Sequence, residues 1–156
     1  MHVRQPLREG PDECISQFFG EPSHSGKADK KCVFTNDLPI LQHPSIATQP
    51  NSYTRIAIVR TAPLSNDYRD YVRKTWKPLV EKTGIPVLFV IGTSSSSSND
   101  HEAKMYGDIL QADFVDSYGN LSLKMVVAYR YLIRHTDVEQ IIVFNDDTIV
   151  NATVII

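Results

Sequence analysis

The chain has 156 residues, of which 42% are hydrophobic and 22% are charged, values typical of one globular domain. Its formal charge of −2 argues against a nucleic-acid partner, because such proteins usually concentrate basic surface. No apolar run reaches the ~18 residues of a membrane helix. The first residues lack the apolar segment of a secretory signal, so we expect neither a signal nor a transmembrane segment in this chain.

Residues 1–54 show the pattern of a poorly ordered arm or stem-like linker. They hold no sustained hydrophobic period, and they contain six of the nine prolines. These prolines are Pro6, Pro11, Pro22, Pro39, Pro44 and Pro50. We therefore expect ordered structure to begin at Arg55, with one domain over residues 55–156.

From Arg55 onward, apolar runs alternate with amphipathic segments. The predicted elements are a strand at 55–62, a helix at 65–84 that Pro78 divides, a strand at 86–92, a helix from 101 interrupted near Gly107, a short strand around Phe114, a helix at 121–136, a strand at 139–147 and a further strand from 152. The polar run at 93–100 is predicted to be a loop. This alternation predicts an α/β fold, an open twisted sheet with helices on both faces.

Several polar residues follow the predicted strands directly. In open α/β sheets, ligands bind beyond the carboxyl ends of the strands. Asp146 and Asp147 lie at such an end, as does Thr61, and Asp116 follows the short strand around Val115. The sequence therefore predicts that carboxylates gather at one edge of the sheet.

Adjacent carboxylates at Asp146 and Asp147 suit a hard divalent cation, Mn²⁺ or Mg²⁺, that also holds a diphosphate. The segment Asn145-Asp146-Asp147-Thr148 is equally good turn composition, so a solvated turn is the alternative interpretation.

Three basic residues are candidates for binding phosphate. Arg69 and Arg73 lie at i and i+4 of the first long helix and could grip a nucleotide, or they could form a solvated face with neighbouring aspartates. Lys124 lies one turn into the 121–136 helix, where the helix dipole disfavours a cation. It is therefore a candidate anion ligand or a partner of Asp116, and an exposed lysine without such a role is the alternative.

Four segments in order resemble the β-1,3-galactosyltransferases and β-1,3-N-acetylglucosaminyltransferases of glycosyltransferase family 31. They are RDYVRKTW at 69–76, VLFVIG at 87–92, EAKMYGDILQADFVDSYGNLSLK at 102–124 and VFNDDTIVN at 143–151. The third segment is the most specific, because it is similar to the family signature nearly throughout. The resemblance covers about residues 55–152.

The resemblance implies a GT-A fold, a UDP-sugar donor, a glycan acceptor and Mn²⁺ or Mg²⁺ bound through the acidic motif. By motif position, the resemblance implies that Asp147 is the direct metal ligand and that Asp146 contacts the ribose or lies next to the metal. It also implies that Arg69 and Arg73 contact the nucleotide, with Asp116 and Lys124 near the uridine or diphosphate. The family also implies the Golgi lumen and membrane, and a role in protein or lipid glycosylation.

The chain departs from the family pattern in ways that leave two functional hypotheses open. Asn145 stands where the family has an aspartate, and no residue here is predicted as the catalytic base. We also expect the domain to be truncated at its carboxyl end. The chain is therefore predicted to be the donor-binding half of a hexosyltransferase. The alternative is a non-catalytic fragment that binds UDP-sugar and metal or pairs with an intact transferase, or a degenerate remnant. An unrelated α/β domain such as a phosphotransfer receiver is a third, weaker hypothesis.

Overall fold

The computed structural model describes residues 38–48, 53–151 and 153. The strands are β1 Ile40–Gln42, β2 Arg55–Arg60, β3 Val87–Thr93, β4 Ile109–Val115 and β5 Gln140–Asn145. The α-helices are α1 Asn66–Lys74, α2 Lys77–Glu81, α3 Asp100–Tyr106 and α4 Leu121–His135, and short 3₁₀ helices span Ser45–Thr48 and Tyr118–Asn120. The strands form one sheet in the order β1-β4-β3-β2-β5.

Helices cover both faces of this sheet, as the sequence predicts. Alternate residues of β2 belong to two separate cores, because successive side chains of a strand point to opposite faces. Ala57 and Val59 pack in one core with Val72 of α1, Val80 of α2 and Ala103 of α3. Ile56 and Ile58 pack in the other core with residues of α4. The predicted α/β, GT-A-like fold class is therefore confirmed.

The strand order places a topological switch point between β2 and β5. The chain runs from β2 through β3 to β4, all parallel, and then crosses back to place β5 in parallel register on the other side of β2. Arg60 at the end of β2 pairs in register with Asn145 at the end of β5. In open α/β sheets, the crevice at such a point is the usual place for a ligand.

The predicted start of ordered structure at Arg55 is wrong by one strand. β1 pairs antiparallel with β4 at the edge of the sheet, and the compact unit that contains the sheet begins at Leu38. The amide of Asp113 donates to the carbonyl of Pro39 at 2.9 Å, so the edge of β4 holds a segment that has no hydrophobic period of its own. The rest of the predicted arm, residues 1–37 and 49–52, lies outside the described residues.

The helix predicted at 65–84 is divided, but just before Pro78 and not at it. α1 ends at Lys74 and α2 begins at Lys77, so Pro78 lies in the first turn of α2, where its missing N–H costs nothing. Trp76 lies at the junction, is buried, and donates from Nε1 to the carbonyl of Thr148 at 2.9 Å. This bond ties the helical layer to the segment that follows β5.

Of three further predicted elements, one differs from the structure in its bounds, one is confirmed and one is not tested. β4 begins at Ile109, earlier than the predicted short strand, because Gly107 ends α3 in the left-handed conformation. The helix predicted at 121–136 is confirmed as α4, in which Lys124 and Tyr131 are buried while Ile133 is exposed. The strand predicted from residue 152 lies outside the described residues, apart from Thr153.

Across the described part of the chain, no helix is both long and apolar enough to span a bilayer.

We predict that Gly92→Ala destabilises the sheet, whereas Gly119→Ala does not. A Cβ at Gly92 would lie 2.6 Å from the carbonyl oxygen of Phe114 and 2.7 Å from its ring, and both belong to the neighbouring strand. Overpacking of this kind costs about 1–3 kcal/mol. At Gly119 the nearest atom is 4.0 Å away. Urea unfolding followed by circular dichroism measures both, and equal stability of the two variants would contradict the packing described here.

Candidate functional site

Two buried cations hold the loop that joins β2 to α1. Lys124 of α4 donates from Nζ to the carbonyl of Thr61 at 2.6 Å, and Arg69 of α1 donates from Nη1 to the carbonyl of Ala62 at 2.5 Å. Arg69 also donates from Nη2 to the carbonyl of Pro63 at 3.2 Å. Three consecutive carbonyls at the carboxyl end of β2 are therefore fixed, and with them one wall of the crevice at the switch point.

Lys124 is the ion-pair partner of Asp116, one of the two roles predicted for it. Its Nζ lies 2.9 Å from Oδ1 of Asp116, and the two side chains are 5% and 6% exposed. The other carboxylate oxygen, Oδ2, accepts the amide of Gly92 at 2.7 Å. This single pair therefore joins the ends of β2, β3 and β4 to the first turn of α4.

Arg69 has no donor left for a nucleotide, which corrects the predicted contact. It is fully buried, and its Nε and Nη2 donate to the two carboxylate oxygens of Glu102 at 2.7 and 2.6 Å. Its remaining bonds go to the β2–α1 loop and to the side chain of Asn66. The i, i+4 spacing with Arg73 indicated the shared face correctly, but that face turns toward α3 and not toward solvent.

Arg73 also binds carboxylates of the protein. It makes a two-point contact with Asp108 at 2.8 and 3.0 Å and a further bond to Glu102 at 2.8 Å. Its guanidinium lies 3.9 Å from the ring centre of Tyr106, which covers it from outside. The predicted nucleotide contact of Arg73 is likewise not favoured, because its side chain is 8% exposed and faces the α3 layer.

The charges of this cluster stabilise one another. Burial alone would raise the pKa of Glu102, but hydrogen bonds and charges from Arg69 and Arg73 outweigh it and lower that pKa. Burial alone would lower the pKa of Arg73, but Asp108 and Glu102 raise it above its ordinary value. Both groups therefore remain ionised at neutral pH. Neither Glu102 nor Asp108 was among the predicted site residues, although Glu102 opens the most specific family segment.

Asp146 and Asp147 lie in the turn that follows β5, just beyond the strand itself. Asp147 is exposed and Asp146 is half-buried. Within the described part of the chain, no ion pair or hydrogen bond of either carboxylate is found, in contrast to Asp116 and Glu102. The structure therefore brings both aspartates to the switch point, next to the Asn145 side chain, which accepts a hydrogen bond from Arg60.

A cleft of about 400 Å³ opens beside this turn. It is lined by Asp67, Tyr68, Tyr71, Asp146, Asp147 and Ile149. Tyr68 and Tyr71 are about half exposed, at 53% and 49%. Neither tyrosine was among the predicted site residues, because a helical sequence pattern gives no sign of which face meets a cleft.

The described residues contain no group of three or more His, Cys, Asp or Glu side chains placed to hold a metal ion. Mg²⁺-type ions, however, are commonly held by one or two carboxylates together with the phosphates of a substrate. Two adjacent carboxylates that have no partner among the described residues fit that kind of site. Of the predicted site residues, Asp146 and Asp147 are thus open to a ligand, whereas Arg69, Arg73, Asp116 and Lys124 bind one another or their neighbours.

Comparison with known proteins assigns the family. The family model described as galactosyltransferase matches residues 67–156, more than half of the chain. The chain therefore belongs to the galactosyltransferase family, and the predicted resemblance is confirmed.

Among curated relatives, the chain is 33% identical over 112 residues to the rat UDP-GlcNAc:betaGal β-1,3-N-acetylglucosaminyltransferase 7. This alignment covers 63% of this chain and 28% of the relative. It is 31% identical to a probable β-1,3-galactosyltransferase 3 of Arabidopsis thaliana, covering 90% of this chain and 37% of the relative. It is 32% identical to human β-1,3-galactosyltransferase 4, covering 60% of this chain and 28% of the relative. The chain thus spans about a third of the length of these relatives.

We predict that Lys124→Met costs about 3–5 kcal/mol of stability, because it leaves the Asp116 carboxylate buried without its cation. Lys104→Met on the exposed side of α3 is the matched control and should change stability by less than about 0.5 kcal/mol. Chemical denaturation at pH 7 measures both. A Lys124 variant as stable as the Lys104 variant would contradict the role of this pair in joining the strand ends.

We predict a specific loss of stability in acid from Glu102. Its pKa is lowered in the folded state, so its contribution is complete above the pKa of an unfolded glutamate, about 4.3, and disappears as the pH falls through the folded value. Glu102→Gln should therefore be less stable than the parent at pH 7, and its stability should change less between pH 5 and pH 3. Glu139→Gln, at an exposed position, should follow the parent curve. Parallel curves for the parent and Glu102→Gln would refute the prediction.

Proposed function

We propose that this chain binds the UDP-sugar donor of a β-1,3-hexosyltransferase that transfers its sugar to a hydroxyl of a glycan acceptor. Membership of the galactosyltransferase family supports this class of reaction. The name of one relative includes UDP-GlcNAc, and the names of others describe β-1,3-galactosyl transfer. The shared chemistry is a nucleotide sugar with a diphosphate leaving group, and we take UDP as the nucleotide.

One observation carries the proposal. Along the carboxyl edge of the sheet, the buried acidic groups are matched by cations, Asp116 by Lys124 and Glu102 by two arginines. Asp146 and Asp147 lie at the same edge without such a partner in the described residues, at the point where an open α/β sheet binds its ligand. Two like charges in this position are unfavourable unless a cation accompanies the ligand.

We propose Mn²⁺ or Mg²⁺ as this cation, with Asp147 as the direct ligand and Asp146 as a ribose contact or second carboxylate. When bound, the ion supplies neutralisation of the diphosphate charge as UDP leaves. Asn145 contributes an amide oxygen in place of a carboxylate, and that oxygen already accepts from Arg60. We therefore expect Asn145 to add little to metal affinity.

The other predicted site residues support the nucleotide indirectly. The Lys124–Asp116 pair fixes the amide of Gly92 and the carbonyl of Thr61, so it sets the shape of the edge near which we propose that the uridine lies. Arg69 and Arg73 fix α1 against α3 and thereby the β2–α1 loop. We propose that these four residues act by positioning the backbone and not by direct contact with phosphate.

The proposed transfer is inverting. The acceptor hydroxyl oxygen forms the new bond to the anomeric carbon, the bond from that carbon to the UDP oxygen breaks, and UDP leaves with the electron pair. The hydroxyl proton passes to a base that we do not assign to any residue of this chain. The family resemblance further supports the Golgi lumen and membrane as the place of action, in protein or lipid glycosylation.

Calorimetric titration of UDP with and without Mn²⁺ tests the donor site. We predict metal-dependent binding that Asp147→Ala weakens at least about tenfold, because the direct ligand is lost. Asp147→Asn removes the charge of this side chain but keeps its shape. The control is Asp137→Ala, which should bind like the parent because Asp137 is exposed and precedes β5 at the opposite edge of the sheet. Binding that is independent of Mn²⁺, or equal in the parent and Asp147→Ala, would contradict the proposal.

A further inference from the structure

The cleft beside the acidic turn has an aromatic wall as well as an acidic one. Tyr68 and Tyr71 lie one turn apart on α1, and Ile149, 81% exposed, faces the same space from the segment after β5. Tyrosine rings combine an apolar face with a hydroxyl that donates and accepts hydrogen bonds. Exposed apolar surface gathered around a concave site commonly marks a place where a ligand binds.

The charge of the cleft restricts the ligand. Asp67, Asp146 and Asp147 supply carboxylates, and no lysine or arginine is among the described residues that line it. An anionic group therefore meets repulsion there unless a cation accompanies it. A neutral pyranose meets the opposite situation, because its hydroxyls can donate to carboxylates while its C–H face packs on an aromatic ring. The volume of about 400 Å³ is in the range of small-molecule sites.

The position of the tyrosines also fits one partner of the reaction. On α1, Arg69 and Arg73 face α3, whereas Tyr68 and Tyr71 face the turn after β5. The proposed uridine edge at Asp116 lies on the other side of β2, at the ends of β3 and β4. The bond that breaks lies beyond the diphosphate, on the side away from the nucleoside. An acceptor sugar must approach from that side, which is the side of the tyrosines.

We propose that the Tyr68–Tyr71 wall is a subsite for a neutral pyranose unit of the acceptor glycan. The two rings carry the apolar face of the sugar, and Asp67 accepts from its hydroxyls. The identity of this sugar as the acceptor rests on the proposed transferase function, whereas the binding of a neutral sugar to the wall does not.

Saturation-transfer NMR of the folded chain without metal tests the subsite, with methyl β-galactoside and N-acetyllactosamine as probes. Tyr68→Ala and Tyr71→Ala should each raise the dissociation constant about fivefold to tenfold, because each removes a stacking face. Tyr118→Ala removes a tyrosine that is 93% exposed and does not line the cleft, so it should bind like the parent. Thermal unfolding checks that all three variants remain folded.

A charged probe of similar shape tests the electrostatic part of the inference. Methyl β-galacturonide carries a carboxylate where methyl β-galactoside carries a hydroxymethyl group, so the three aspartates should weaken its binding. Asp67→Asn should reduce the difference in affinity between the two sugars. Absence of saturation transfer, an equal loss in Tyr118→Ala, or tighter binding of the galacturonide would overturn the subsite.

UDP binding with Mn²⁺, measured on the same variants, separates this inference from the proposed function. The tyrosine variants should keep the UDP affinity of the parent. If they lose it, the rings bind the nucleotide, and the acceptor subsite is wrong. If UDP fails to bind the parent while the sugar probes still distinguish Tyr68→Ala from Tyr118→Ala, the donor proposal fails and the sugar-binding wall remains.

Discussion

The loop after β2 depends on two buried cations that reach it from opposite faces of the sheet. Arg69 comes from α1 and Lys124 from α4. Together they donate hydrogen bonds to the carbonyls of Thr61, Ala62 and Pro63. A buried backbone carbonyl needs a donor, and a buried cation needs an acceptor, so each side of this arrangement satisfies the other. Because Glu102 and Asp116 balance the two charges, the loop, both helical layers and the strand ends form one connected structure.

This arrangement determines which charges remain available. Every cation of the cluster is committed to the scaffold, and no lysine or arginine is among the described residues that line the cleft beside the acidic turn after β5. The site can therefore favour a cation with its diphosphate on the switch-point side and a neutral polar group on the tyrosine side. The two sides share Asp146 and Asp147, which is the arrangement that a transfer between a nucleotide sugar and a second sugar requires.

The sequence predicted the fold better than it predicted the roles of charged residues. Apolar runs at β2 and β3 and the periodicity of α4 mark elements that bury their own side chains, so local pattern suffices there. The apolar run at β5 also predicted a strand, although no residue of β5 is fully buried. The Asp116–Lys124 pair could also be predicted, because a cation near a helix start calls for a nearby anion. Arg69 and Glu102 are 33 positions apart, and their contact depends on how α1 packs on α3, which no local pattern specifies. β1 was missed for the same reason. It is a strand because it pairs with the edge of β4, and its own sequence has no hydrophobic pattern that predicts one. Tyr68 and Tyr71 line a cleft only because the turn after β5, far along the chain, forms its other side.

The most direct test of the account is to locate the cation by paramagnetic relaxation. Amide spectra of the isotope-labelled chain with UDP would be compared in Mn²⁺ and in diamagnetic Mg²⁺. The account predicts that Mn²⁺ broadens the amides of residues 145–149 most strongly, with weaker effects at Thr61 and Tyr68 and none at Asp137. Broadening centred away from the turn after β5, or spread evenly over the acidic surface, would contradict a metal-nucleotide site at the switch point.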